Sequence, residues 1–176
     1  MEKVGIIFAM EEELLALKEY LVLEKEYDIF NLKFYEGKIN GIDCVLVESG
    51  IGKVNAARTA QILIDKFDID VIINVGAAAS ANDELDIGDI VFGERLVQHD
   101  FDITAFGHPK GHISNVGQFI ECDEKSIEKM QQIILIVQFH LFYLHLDLYY
   151  ILSQILKKIN QGTCFLNAVA VKYKYR

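Results

Sequence analysis

A chain of 176 residues with 52% hydrophobic content has the length of one domain and enough apolar material to fill a core. Its 17 Lys+Arg against 26 Asp+Glu leave a net charge of −9, which excludes nucleic acid and anionic membrane surfaces as favoured partners. Cys44, Cys122 and Cys164 lie far apart with neither a CxxC nor a metal spacing, so they read as thiols of a reducing compartment, the cytoplasm.

Val4-Gly5-Ile6-Ile7-Phe8-Ala9-Met10 is a short apolar run that reads as a buried strand. It is too short for a secretory signal, and glutamates follow it at once. Those glutamates, Glu11-Glu12-Glu13, precede Leu14, Leu15, Leu21 and other helix-compatible residues, so the stretch reads as a first helix. Acidic residues suit the positive end of a helix dipole, and solvated capping is one reading of all three. The other is that one of them faces a ligand cleft, because the carboxyl ends of strands are where an open α/β sheet binds ligands.

The next strand is placed at Leu32–Ile39, followed by the hairpin signal Asn40-Gly41 and a returning strand at Ile42–Glu48. Ser49-Gly50-Ile51-Gly52-Lys53 then turns into an Ala-rich helix running to about Lys66. Two glycines two apart allow a tight turn and a close ligand approach. The loop is not a phosphate-binding P-loop, since Val47 and Val54 stand where Gly and Ser or Thr are needed. Asp70 to Val75 is a β-branched buried strand whose exit, Gly76-Ala77-Ala78-Ala79-Ser80, is built of small residues and suits a flat ligand. Gly88-Asp89 reads as a turn and Ile90-Val91-Phe92 as a strand. His99 to Gly107 is a short polar loop with two carboxylates, a histidine and Phe106, and it prescribes no metal geometry. For Phe106 itself, plain core is one reading. His108 and His112 are four apart, but Pro109 and Gly111 argue against a helix presenting both. Asp123 is placed as the N-cap of a further helix.

Four of these stretches carry a family resemblance. GIIFAMEEE, the Ser49–Lys53 loop, Leu85-Asp86-Ile87-Gly88-Asp89-Ile90-Val91 and His99-Asp100-Phe101-Asp102-Ile103-Thr104-Ala105-Phe106-Gly107 resemble elements of the 5′-methylthioadenosine/S-adenosylhomocysteine nucleosidases, in the purine nucleoside phosphorylase superfamily. The resemblance covers residues 1–130. It implies hydrolysis of the N-glycosidic bond to adenine and a thioribose product, with Glu13 activating the attacking water. It implies substrate contacts at Ala9, Met10, Ile51, Ala77, Ala78, Ala79, Ile103 and Phe106, and neither metal nor cofactor. It places Phe106 in the site of a neighbouring subunit and so implies a homodimer acting on a small nucleoside. Ala79 and Ser80 stand where the family has two glycines, and an added Cβ there crowds the site.

From residue 133 the motifs stop. Residues 133–176 hold five Lys+Arg and one Asp, whereas residues 1–132 hold 12 and 25. Ile133 to Ile151 is mostly apolar, but Gln138, His140, His145 and Asp147 interrupt it, which argues against a membrane span. Alternation at His140 to Leu148 favours a strand, Tyr149 to Asn160 a helix, and Cys164 to Val171 another strand. Lys172-Tyr173-Lys174 follows that strand where the family has a ribose-binding V-E-M-E-G, and nothing matches the family's S-D-x-A-D, whose aspartate protonates the leaving purine. The expectation is one domain over 1–176 with an atypical tail at 133–176. Its fold class is α/β, a mixed central sheet flanked by helices, phosphorylase/hydrolase-like and incomplete at the C-terminus. A truncated or altered family member of weak or no activity is implied. A nucleoside phosphorylase and a non-catalytic purine-nucleoside binder are the alternatives.

Overall fold

The computed structural model describes residues 3–78, 90–128 and 130–131, together with the backbone of 164–172. The elements in chain order are β1 (Val4–Phe8), α1 (Glu11–Lys18), β2 (Val22–Ile29), β3 (Leu32–Ile39), β4 (Ile42–Glu48), α2 (Lys53–Phe67) and β5 (Val71–Ala78). Then come β6 (Ile90–Phe92), β7 (Arg95–Leu96), a 3-10 turn at Thr104–Phe106, β8 (Ile120–Glu121) and β9 (Cys164–Lys172). Residues 124–128 are helical, and the Asp123 carboxylate caps them by accepting the Ser126 N–H at 3.0 Å.

Seven strands form one mixed sheet in the order β2-β3-β4-β1-β5-β9-β6, the architecture expected from the sequence. β1 lies between β4 and β5, parallel to both, and β5 is parallel to β9. β2, β3 and β4 form an antiparallel meander, and β6 returns antiparallel to β9. The chain leaves β4 on one side of β1 and, after α2, re-enters the sheet as β5 on the other. That reversal of strand order is a topological switch point, where open α/β sheets hold ligands beyond the strand carboxyl ends.

The central strands read as continuous hydrophobic runs because both their faces are covered. Val4, Ile6 and Phe8 of β1 pack with Cys44, Leu46, Val71 and Ile73 against Leu14 and Leu17 of α1 and against Ile127 and Met130. Ile7, Val45, Val47 and Ile72 face the other way, onto Ile62, Leu63 and Phe67 of α2. Phe34 stacks on Phe67 with ring centroids 5.0 Å apart, and Tyr27 meets the same ring edge-on at 5.2 Å.

The sequence places no strand between the first helix and residue 32, and the structure corrects this. α1 stops at Lys18, and β2 fills residues 22–29 as the edge of the sheet. Its Glu24-Lys25-Glu26 and Asp28 conceal the strand from a hydrophobicity reading, since five of its first five residues are exposed. Charges of this kind are what keeps an edge strand from pairing with another chain. Phe30 and Asn31 close the β2–β3 hairpin at φ 53 and 61, without glycine. Asn40 and Gly41 make the predicted β3–β4 turn, both at positive φ, as a two-residue hairpin loop of type I′ requires. The expected turn at Gly88-Asp89, strand at 140–148 and helix at 149–160 lie outside the described residues. The strand expected at Cys164 to Val171 is β9. Among the described residues no helix is long and apolar enough to cross a membrane.

Candidate active site

β1 delivers Ala9 and Met10 to the start of α1, and Glu13 occupies the first helical turn. The three glutamates part company there. Glu11 and Glu12 are exposed, as capping residues would be, whereas Glu13 keeps 8% of its surface. Its Oε2 accepts the backbone N–H groups of Ala9 at 3.1 Å and Met10 at 3.2 Å, reaching back to the N-cap. Its Oε1 accepts the N–H of Ala77 at 2.9 Å, from β5. Since β1 ends with Phe8 paired to Val75, Ala77 lies just beyond the end of the neighbouring strand. Three donors occupy three of about four lone-pair sites on a carboxylate. One accepting position is left over by these three bonds.

The exit of β4 borders this place. Ser49 N–H donates to the Phe8 carbonyl at 2.8 Å, and the Ser49 hydroxyl lies 3.2 Å from the same oxygen. Gly50 and Gly52 follow at φ 77 and 113, conformations that glycine adopts without steric cost. The loop carries Ile51 on its outside, 75% exposed. Asn55 holds the loop from below by donating to the Ile51 carbonyl at 2.9 Å.

The 99–107 loop meets that glycine loop through an ion pair. Lys53 donates to both carboxylate oxygens of Asp100, at 2.6 and 2.7 Å, and this holds the Asp100 carboxyl below its ordinary range. Asp102 accepts the Thr104 N–H at 2.9 Å and the Thr104 hydroxyl at 2.8 Å, which lowers its carboxyl likewise. Both carboxylates are thus engaged within the loop system. The turn lifts Phe106 away from the body of the protein, 82% exposed, so the reading of Phe106 as plain core is wrong. Ile103 sits half-buried at the base of the turn. Beyond it, a turn with Gly111 at φ 84 stacks His108 on His112 at 4.3 Å, which no helix was needed to achieve.

The structure therefore joins Glu13, Ala9, Met10 and Ala77 directly, and it brings Ile51 to the adjoining loop. Ala78 follows Ala77 at the exposed strand exit, and Ala79 lies outside the described residues. Among the described residues, the Lys53–Asp100 pair links the loop that carries Ile103 and Phe106 to the glycine loop. Sequence reasoning missed that pair, because residues 47 apart in the chain carry no local sign of meeting. The exit Gly76-Ala77-Ala78-Ala79-Ser80 reads in sequence as suited to a flat ligand; at Gly76 itself the adjoining space holds the Glu13 carboxylate, and a Cβ built there would lie 3.0 Å from Oε1.

At the opposite end of the sheet, before β1, a cavity of about 370 Å³ is walled by Lys3, Glu24, Glu36, Asp43, Asp68 and Asp70. Glu36 accepts from Lys3 and from the Tyr27 hydroxyl, and those two bonds hold its carboxyl below the ordinary range. This network ties β1, β2 and β3 together at the amino end, far from Glu13. Cys44 is buried in the core, and burial pushes its thiol up to about 12, so it is inert packing.

Comparison with known proteins agrees with this geometry. The model of the phosphorylase superfamily matches residues 3–154. The chain is 40% identical over 131 residues to a 5′-methylthioadenosine/S-adenosylhomocysteine nucleosidase of Staphylococcus haemolyticus, covering 74% of this chain and 58% of that protein. It is 42% identical over 125 residues to the same enzyme of Anoxybacillus flavithermus, covering 71% and 54%. The crystal structure of a nucleosidase of that name from Colwellia psychrerythraea, in complex with adenine, superposes with a TM-score of 0.74 at 38% identity over 76% of this chain and 55% of that one. The chain thus spans a little over half the length of the relatives it matches. Its sheet order, the placement of Glu13 at the switch point and the match over residues 3–154 lead to one conclusion: the chain belongs to the phosphorylase superfamily.

Proposed function

We propose that this chain acts as a 5′-methylthioadenosine/S-adenosylhomocysteine nucleosidase, in which Glu13 is the base. Water bonds to C1′ of the ribose as the bond from C1′ to the purine nitrogen breaks, and Glu13 takes the water's proton. The bonding pair leaves with the purine, which an acid must protonate. The observation that carries the reading is the Glu13 carboxylate itself. It is buried, held by three backbone N–H donors, and set beyond the strand ends at the switch point. Fixing the base in this way supplies the positioning that general-base catalysis needs.

No residue of the sequence matches the acid of the family motif. The phosphorylase alternative needs cations for phosphate, and Lys53, the cation of the glycine loop, is engaged by Asp100. Phe106 at 82% exposure, with Ile51 at 75% and Val54 at 83%, supports a homodimer in which Phe106 covers the partner's site.

The test is adenine release from 5′-methylthioadenosine by the purified chain, with and without phosphate, alongside Glu13→Ala. Phosphate-independent release that disappears in the variant supports the hydrolase. Phosphate-dependent release would replace it with the phosphorylase, and nucleoside binding without release would replace it with a non-catalytic binder. Sedimentation of the parent against Phe106→Ala tests the dimer.

A further inference from the structure

We propose that Gly76 is the positioning residue for Glu13: it is glycine because the catalytic carboxylate lies against its α carbon. The backbone at Gly76 is not in the left-handed region, so conformation does not demand glycine there. The preceding residues, Val71 to Val75, are side chains of ordinary size, most of them buried in the core. Space is what changes at residue 76. A Cβ on Gly76 would lie 3.0 Å from Oε1 of Glu13, 3.3 Å from Oε2 and 3.4 Å from Cδ. It would press on the whole carboxyl group, from one side.

The carboxylate has little freedom to retreat. Ala9 and Met10 hold Oε2 at 3.1 and 3.2 Å, and Ala77 holds Oε1 at 2.9 Å. With two of the three bonds already at the long end of the ordinary range of about 2.7–3.2 Å, a displacement of a few tenths of an ångström disturbs the cradle. Gly76 and the Ala77 N–H thus act together: one clears the place and the other pins the oxygen in it. Elsewhere in a strand, replacing glycine by alanine stabilises the fold by restricting the unfolded chain. At this position the contact with Glu13 reverses that sign.

The catalytic half of this inference rests on the hydrolase reading; the contact half does not, and a double-mutant cycle separates them. Gly76→Ala is made in the parent and in Glu13→Ala, and urea unfolding is measured for all four proteins. The expected result is that Gly76→Ala raises the unfolding equilibrium constant by about tenfold in the parent and costs nothing or stabilises in the Glu13→Ala background, as contacting residues couple. Folding of Gly76→Ala in the Glu13→Ala background alone would support the inference equally. Equal cost in both backgrounds, or failure to fold in both, overturns it. In the parent background, adenine release by Gly76→Ala should show kcat lowered at least about tenfold with KM within about threefold, the pattern of a displaced base. A raised KM at unchanged kcat would mean that Gly76 makes room for substrate and would overturn the positioning role. A parent that releases no adenine removes the hydrolase reading and leaves the unfolding cycle to decide the contact.

Discussion

Glu13→Gln is the sharpest perturbation of the cradle, because it preserves volume and changes only the pattern of donors and acceptors. The two carboxylate oxygens both accept: Oε2 from Ala9 and Met10, Oε1 from Ala77. A glutamine offers one accepting oxygen and one donating nitrogen. With its oxygen toward Ala9 and Met10, its amide nitrogen faces the Ala77 N–H, donor against donor. Flipped, it surrenders the other two bonds. The better orientation forfeits one hydrogen bond to a charged group, which is worth about 1.5–3 kcal/mol. No cavity is made, so no packing loss is added. The expected cost is therefore roughly 1.5–3 kcal/mol in urea unfolding followed by circular dichroism, at unchanged slope. Adenine release should fall by about 10²–10⁴ in the same variant. A Glu13→Gln protein within about 0.5 kcal/mol of the parent, the range of an ordinary surface change, would show that the three-donor cradle does not hold α1 to β5.

The Thr59 hydroxyl is fully buried in α2 and, among the described residues, has no hydrogen-bond partner. Thr59→Val keeps the shape and removes the unpaired group, so it should raise stability by about 1 kcal/mol in the same unfolding assay; a loss would mean the hydroxyl is paired. Glu36 titrates below the ordinary glutamate value of 4.5 because Lys3 and Tyr27 donate to its carboxylate. A depressed folded value means that its stabilisation is present above 4.5 and is lost as the pH falls through the folded value. The stability gap between the parent and Glu36→Gln should then be full at neutral pH and close on acidification below 4.5, and a gap that widens in acid would contradict the network. Asp100→Asn removes an exposed ion pair, so the melting temperature should hold while KM for 5′-methylthioadenosine rises as the glycine loop and the 99–107 loop uncouple. An unchanged KM would mean the pair does not shape the site.

Local pattern was sufficient wherever a residue's role is decided by its near neighbours in the chain. The runs at 4–8, 44–47 and 71–73 are apolar on both faces because the central strands of the sheet are covered twice, and that is visible in the string itself. Asn40-Gly41 determines its turn through backbone sterics, and Gly50 and Gly52 do the same for theirs. The acidic start of α1 and the capping Asp123 are likewise local. Tertiary structure alone decided the rest. β2 is a strand because β3 pairs with it, although its charged residues carry no strand signal. Glu13 differs from Glu11 and Glu12 locally, because its N3 position lets it reach back to the Ala9 and Met10 N–H groups, and through the fold, because β5 arrives to present the Ala77 N–H, 64 residues away. Lys53 finds Asp100, and Gly76 finds the Glu13 carboxylate, in the same way. The physical reason is range. Backbone preference and hydrophobic periodicity act over a few residues, whereas the third bond that fixes Glu13 depends on which strand lies beside it in the sheet.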